Sequence, residues 1–245
     1  MSGRCVLGLG LVIGLAACAP SDTEAPATTP AAEMVREVMT EAMQQALTPD
    51  EVFAQLKAGN QRFVEGMLTP RDYKAQAAAT ASGQYPKAAV LSCLDSRVPP
   101  EIIFDQGIGD LFVGRVAGNF ENEDLLGSLE FATAVAGTPL IVVLGHTQCG
   151  AIKGAIAGVE LGNLTAMLEN NFEEVLERVR EIQAMGSDPA SDEVVQEAIE
   201  ENVRQTIGDI LADSDVISGL VESGEVAIVG GVYDLATGRV NWMES

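Results

Sequence analysis

Two short apolar runs constrain the fold of this chain more than any other sequence feature, because each leads directly to a cysteine or a histidine. Residues 88–92 (AAVLS) precede Cys93, and residues 139–145 (PLIVVLG) precede His146, with Cys149 three positions later. Short apolar runs that contain β-branched residues predict buried strands. Because the carboxyl ends of parallel strands share one edge of an open α/β sheet, we expect the three side chains to meet there.

Two cysteines and the single histidine of the chain form a donor set typical of zinc. A catalytic zinc ion usually has three protein ligands, since the fourth tetrahedral position stays free for water or substrate, whereas structural sites usually have four. We therefore predict that Cys93, His146 and Cys149 bind one catalytic Zn²⁺. From the residues alone, a hydrogen-bonded core histidine and a disulfide or redox pair of Cys93 and Cys149 stay open as alternatives.

Strand and helix patterns alternate along residues 48–245, which predicts one α/β domain with a mostly parallel central sheet flanked by helices. Residues 48–51 (TPDE) form a capping box with proline at the first helical position, so a helix is expected to begin there, with an earlier one from about Ala32. The other predicted elements are strands at 111–116 and 226–232 and helices at 100–104, 123–136 and from 151 to about 220.

The first 17 residues resemble a bacterial export signal. One positive charge, Arg4, precedes an apolar stretch that is too short to span a bilayer. The ending at residues 15–18 (LAAC) resembles a lipobox, in which Cys18 becomes the lipidated first residue, and Ala19 favours transfer to the outer membrane. We predict a lipoprotein signal peptide at 1–17 and a protein anchored on the periplasmic side of that membrane. Export without a lipid is the alternative.

Residues 18–47 are expected to form a tether, small, polar and proline-containing up to about residue 32, followed by an N-terminal helical arm. The net charge of −22 argues against nucleic acid and anionic lipid as partners, so the membrane is contacted only through the anchor. Much of the negative charge lies in residues 169–201, where helical spacing of apolar residues predicts solvated helix faces.

Cys-x-Asp-x-Arg at residues 93–97 and His-x-x-Cys at 146–149, taken together, resemble the β-class carbonic anhydrases. The resemblance covers roughly four fifths of the chain, from Thr48 onward. Each motif is weak alone, but their order along the chain is specific. The further matching segments are 56–63, 98–106, 109–112, 128–131 and 231–240.

This resemblance implies reversible hydration of carbon dioxide to bicarbonate and a proton by a zinc-bound hydroxide, with the three ligands named above. It also implies a dyad of Asp95 and Arg97 beside the open metal position. Asp95 would accept a hydrogen bond from the hydroxide, and Arg97 would keep Asp95 ionised and away from the metal. An ordinary loop ion pair is the alternative for these two residues.

Two positions favour the plant-like, open-site kind of this family over the kind that bicarbonate shuts down. Val90 stands where the regulated kind has a tryptophan, three residues before the first ligand, and Gln84 stands nine residues before it, where the open kind has a substrate-binding glutamine. Phe112 and Ala117 match positions that line the carbon dioxide pocket. Ala117 is smaller than the usual valine, and Val116 and Phe131 replace a common asparagine and tyrosine.

The family also implies a homodimer or a dimer of dimers, in which the helical arm packs on the partner and Gln84 acts on the partner's zinc. Two other activities are compatible with these residues. The chain could hydrolyse carbon disulfide or carbonyl sulfide on the same fold, or it could be a non-catalytic zinc-binding lipoprotein.

Overall fold

The computed structural model describes residues 33–243, so the predicted signal peptide, the lipidation of Cys18 and most of the tether lie outside the described residues. The strands are β1 (Ala88–Cys93), β2 (Leu111–Val116), β3 (Leu140–His146), β4 (Ala227–Tyr233) and β5 (Val240–Trp242). The helices are α1 (Glu41–Gln45), α2 (Pro49–Val64), α3 (Tyr73–Ala79), α4 (Pro100–Ile103), α5 (Glu123–Glu130), α6 (Gly150–Ile156), α7 (Asn163–Asn171), α8 (Glu173–Ala184), α9 (Asp192–Asp213) and α10 (Asp215–Glu222). Across residues 33–243, no helix is both long and apolar enough to cross a membrane.

The five strands form one sheet in the order β2-β1-β3-β4-β5. All neighbours are parallel except β5, which runs antiparallel to β4. Every residue of β1 and β3 is buried, as expected for central parallel strands covered on both faces. The prediction of a mostly parallel sheet flanked by helices is therefore confirmed.

Two apolar cores cover the two faces of the sheet. The larger core contains residues of α6 to α10, and the smaller one contains Val52 and Leu56 of α2 with Phe104. Helix α2 begins with the predicted capping box, since Thr48 and Glu51 each accept a backbone N–H from the other. Gly59 permits a close approach, because a Cβ atom there would lie 1.9 Å from the Phe104 carbonyl oxygen.

One local prediction was wrong. Residues 33–40 of the arm are not helical, because Val35 pairs with Arg71 in an isolated bridge and the first helix begins only after Thr40, whose side chain accepts the Met43 N–H. The helix expected over 123–136 is present as α5 and continues through Phe131–Val135 as a π-helical turn. The other predicted elements are present, with ends displaced by a few residues.

Candidate metal centre

The three predicted metal ligands lie together at the carboxyl edge of the sheet. Cys93 ends β1, His146 ends β3, and Cys149 is the N-cap of α6. Their ligand atoms all lie within 4.8 Å of one another, and the Cys93 and Cys149 sulfurs are 4.0 Å apart. Two sulfurs on a tetrahedral zinc, each about 2.3 Å from the metal, would be about 3.8 Å apart. The spacing fits that geometry closely.

The His146 ring presents one free nitrogen to this cluster. Its Nδ1 lies 2.9 Å from the Thr147 carbonyl oxygen, which can only accept, so Nδ1 carries the proton. Its Nε2 is buried and has no hydrogen-bond partner. The ring is held in place because Thr147 is itself fixed by two hydrogen bonds. Its N–H donates to the Tyr233 carbonyl oxygen at the end of β4, and its hydroxyl oxygen accepts the Leu235 N–H. A buried, unpartnered nitrogen beside two thiols fits a metal ligand.

The two thiols share a hydrogen bond. The hydrogen bond from the Cys149 thiol, with smaller contributions from His146 and the Gly118 N–H, lowers the pKa of Cys93 to about 4 against the effect of burial. The same hydrogen bond, together with burial, raises the pKa of Cys149. The Cys93 sulfur is thus the more readily ionised of the two. A divalent metal binds both sulfurs as thiolates, so its binding would displace any remaining thiol proton.

Asp95 and Arg97 form a bidentate ion pair next to the cluster. The Arg97 Nη2 and Nε atoms donate to the two Asp95 carboxylate oxygens at 2.7 and 2.9 Å. The Asp95 Oδ2 atom also lies 3.9 Å from His146 Nε2. Hydrogen bonds from Arg97 hold the pKa of the Asp95 carboxyl well below its usual range, although its partial burial opposes this. The carboxylate is thus charged and oriented beside the metal position.

Two residues that the sequence did not single out shape this edge. Arg115 of β2 donates to the carbonyl oxygens of Cys93 and Asp95 and so fixes the loop between them. Gly118 donates its backbone N–H to the Cys93 sulfur at 3.3 Å. Arg115 could have been found from the sequence, since a charged residue within the predicted strand at 111–116 needs a partner at the strand's end.

The structure places only one of the three predicted substrate residues at this edge. Ala117 directly follows Val116, which pairs with Cys93. Phe112 pairs with Ala89, near the amino end of β1, and Gln84 lies before β1 begins. A six-residue strand is about 17 Å long, so Gln84 is far from the metal ligands of its own chain.

The fold and this cluster define a metal-dependent α/β enzyme. The carbonic anhydrase family matches residues 88–240, and the chain therefore belongs to that family, in its β class. Hydration of carbon dioxide is its expected reaction.

Individual relatives agree with this assignment. Carbonic anhydrase 2 of Mycobacterium tuberculosis is 41% identical over 192 residues, which are 78% of this chain and 91% of that protein. The solved β-carbonic anhydrase CcaA is 25% identical with a TM-score of 0.64 and covers 79% of this chain and 95% of its own. A tetrameric β-carbonic anhydrase of Sordaria macrospora, 24% identical, shows the same fold with a TM-score of 0.62 over 79% of this chain and 98% of its own.

Proposed function

We propose that Cys93, His146 and Cys149 hold one zinc ion and that Asp95 and Arg97 act beside it in the reversible hydration of carbon dioxide to bicarbonate. The observation that carries this assignment is the buried His146 Nε2 atom, which has no protein partner and faces two thiols. When bound, zinc lowers the pKa of a water molecule and so supplies a nucleophile at neutral pH.

Asp95 orients the reacting group. Its carboxylate is ionised and can accept a hydrogen bond from a donor at the open metal position. The Asp95 Oδ2 atom lies 3.9 Å from His146 Nε2, the atom that would bind the metal. Arg97 occupies both carboxylate oxygens, which fixes their direction. Ala117 follows Val116, the strand partner of Cys93, and would contribute an apolar wall where carbon dioxide would sit. These are the roles that the geometry of one chain supports.

The deciding experiment is stopped-flow hydration of carbon dioxide, run with a zinc assay on the same preparation. We expect one zinc per chain and rapid hydration that a chelator abolishes. One zinc per chain without hydration would favour carbon disulfide or carbonyl sulfide as the substrate, and failure on all three would favour a non-catalytic zinc-binding protein. Hydration at full rate without metal would contradict the zinc assignment.

The site also belongs to the open kind, in which Asp95 stays with Arg97 and bicarbonate does not inhibit. The bidentate ion pair and the fully buried Val90, which stands where the regulated kind has tryptophan, support this. We expect activity from neutral pH upward and no cooperative loss on adding bicarbonate. A steep sigmoidal inhibition by bicarbonate below neutral pH would contradict it.

The active form is a homodimer or a dimer of dimers, with the helical arm on the partner and Gln84 acting on the partner's zinc. Strand β2 is an edge strand of the described sheet, and beside it lies a cavity of about 740 Å³ lined in part by Phe112, Leu125 and Phe131. Phe131 is 51% exposed, which a partner surface would explain. The β-carbonic anhydrase of Sordaria macrospora, for comparison, is tetrameric.

Phe131→Lys tests that interface without disturbing the core. We expect wild-type protein to sediment with at least twice the mass of the chain, and Phe131→Lys to sediment as a monomer. Met185→Lys is the matched control, because Met185 is 73% exposed and lies beyond the end of α8. A monomeric wild-type protein with full activity would overturn the dimer.

The chain is exported by the signal peptide at 1–17 and anchored to the outer membrane on its periplasmic side through lipidated Cys18. The sequence LAAC at residues 15–18 and Ala19 support this. Labelling of the full chain with radioactive palmitate tests it, with Cys18→Ser as the control. A Cys18→Ser protein that still fractionates with the membrane would remove the lipid anchor from the proposal.

A further inference from the structure

The Cys93 sulfur receives its backbone hydrogen bond from a loop rather than from a helix or strand. Gly118 lies two residues after the end of β2, and its N–H reaches the Cys93 Sγ atom at 3.3 Å. Hydrogen bonds from surrounding groups orient a metal ligand and support its binding to the metal. The position of the Gly118 peptide therefore affects how well Cys93 serves as a ligand.

Gly118 cannot hold this position by its own conformational preference. Its φ angle of +93° lies in a region that glycine enters easily but also leaves easily. A residue with a side chain could not replace Gly118 here, because its Cβ atom would lie 2.4 Å from the ring of Phe172, which is completely buried. Within the loop, one hydrogen bond, from the Asn119 N–H to the Val116 carbonyl oxygen at 3.0 Å, holds the peptide that follows Gly118. A contact from outside the loop adds to this restraint.

Asn202 supplies such a restraint from α9. Its side-chain Nδ2 atom donates to the Gly118 carbonyl oxygen at 2.7 Å, a short and buried hydrogen bond. Asn202 is only 2% exposed, and among the described residues its side-chain amide hydrogen-bonds to Gly118 and not to a metal ligand. Burying a side-chain amide without a hydrogen-bond partner costs free energy, and the hydrogen bond to the Gly118 carbonyl offsets that cost for Asn202.

We propose that Asn202 is a positioning residue for the metal centre, which anchors Gly118 through its carbonyl so that the N–H on the other side of the same residue stays on the Cys93 sulfur. The inference rests on the zinc site proposed above. Loss of the Asn202 amide leaves the Gly118 carbonyl without this buried partner, and Gly118 then shifts as a whole toward another donor. The N–H moves away from Cys93, the thiolate loses a donor, and zinc is held less tightly.

Asn202→Leu tests the proposal, because leucine has the same number of side-chain heavy atoms and the same branching as asparagine, although it is bulkier, and it has no donor. We expect zinc affinity, measured by competition with a chelator, to fall about 10- to 100-fold, the usual effect of losing a partner that supports a metal ligand. The cobalt-loaded protein gives a second readout. Its thiolate-to-cobalt charge-transfer bands should shift in Asn202→Leu, since those bands report the electron density on sulfur.

Asn60→Leu is the matched control. Asn60 is also a buried helical asparagine whose amide donates to backbone carbonyls, those of Ile103 and Gly238. The N–H groups of those two residues bond to Pro99 and Asp234, not to a metal ligand. We expect this control to lose stability while keeping wild-type zinc affinity and cobalt bands. Equal losses of zinc affinity in both variants would show general destabilisation and overturn the positioning role.

Asn202→Asp keeps the test decisive if the leucine variant does not fold. Aspartate has the shape of asparagine, but its carboxylate cannot donate to the Gly118 carbonyl, so the same weakening is expected. A folded Asp or Leu variant with wild-type zinc affinity and unchanged cobalt bands overturns the inference. Failure of the wild-type protein to bind zinc or to show cobalt–thiolate bands would instead overturn the metal site itself.

Discussion

The predicted site residues at the two ends of the parallel sheet differ in how far one chain buries and orients them. At the carboxyl end, Cys93, His146 and Cys149 are buried and each has hydrogen-bond partners that orient it. At the amino end, Gln84 is exposed and Phe131 is half exposed beside an open cavity. One chain therefore brings the three predicted metal ligands together by itself, whereas Gln84 and Phe112 would reach a metal only across the proposed subunit contact.

His146→Ala should give the largest effect and separate the two ends most clearly. Without the imidazole we expect zinc content to fall well below one per chain and hydration to fall more than about 1000-fold, because the metal supplies the nucleophile. Gln84→Ala is the contrast at the other end and should keep its zinc. Metal analysis with stopped-flow assays checks both, and full zinc retention in His146→Ala would show that the cluster has been misassigned.

Asp95→Asn should lower kcat/KM by about 100- to 10,000-fold with zinc retained, since positioned acid–base groups contribute on that scale. The amide keeps the shape of the carboxylate but not its charge. Asp234→Asn is a suitable control, because Asp234 also has a lowered pKa, from hydrogen bonds to Ala236 and Thr237 within its own turn. Activity of the Asp95 variant within a few-fold of wild type would remove Asp95 from the mechanism.

Arg97→Leu should lower activity by about 10- to 100-fold, the loss expected for a charge-assisted hydrogen bond. Arg97 holds the pKa of Asp95 below its ordinary value. Its removal raises that pKa only toward about 3.9, so Asp95 stays charged above pH 5 and only its orientation suffers. The ratio of wild-type to variant kcat/KM should therefore be constant from pH 6 to 9. A ratio that shrinks as the pH rises would show that protonation of Asp95 is responsible.

Gln84→Ala should have the smallest effect, about 10-fold, because one hydrogen bond to substrate is lost. Mixed dimers sharpen the comparison. If Gln84 acts on the partner's metal, a dimer of one Gln84→Ala chain and one Asp95→Asn chain contains one intact site, and activity rises on mixing. If Gln84 acts within its own chain, no intact site forms. Unchanged activity after confirmed subunit exchange would place both ends of the site in one chain.

The sequence was enough to predict the sheet and the meeting of Cys93, His146 and Cys149 at its edge, because both depend on local patterns. The apolar runs located β1 and β3 to within a residue, and the register of those strands brings their ends together. The pairing of Asp95 with Arg97 came from the family resemblance, and the two side chains are hydrogen-bonded in the structure.

The contacts that complete the centre were not predictable, because they join distant parts of the chain. Asn202 and Gly118 are 84 positions apart, and no spacing rule connects them. The expected helix from Ala32 failed because Val35 pairs with a segment that follows α2, which is a tertiary contact. In the proposed dimer, Gln84 would reach a metal only across a contact between chains, which local spacing does not encode.

The 4.0 Å between the sulfurs of Cys93 and Cys149 also sets an order for the maturation of the protein. A disulfide needs about 2.05 Å between sulfurs, so a movement of about 2 Å, with two electrons passed to an oxidant and two protons to water, would join them. Zinc prevents this by engaging both thiolates. For a chain exported as proposed, metal loading must therefore come before exposure to the oxidising compartment, and a delay in metal supply would commit the protein to a cross-linked form that cannot bind zinc.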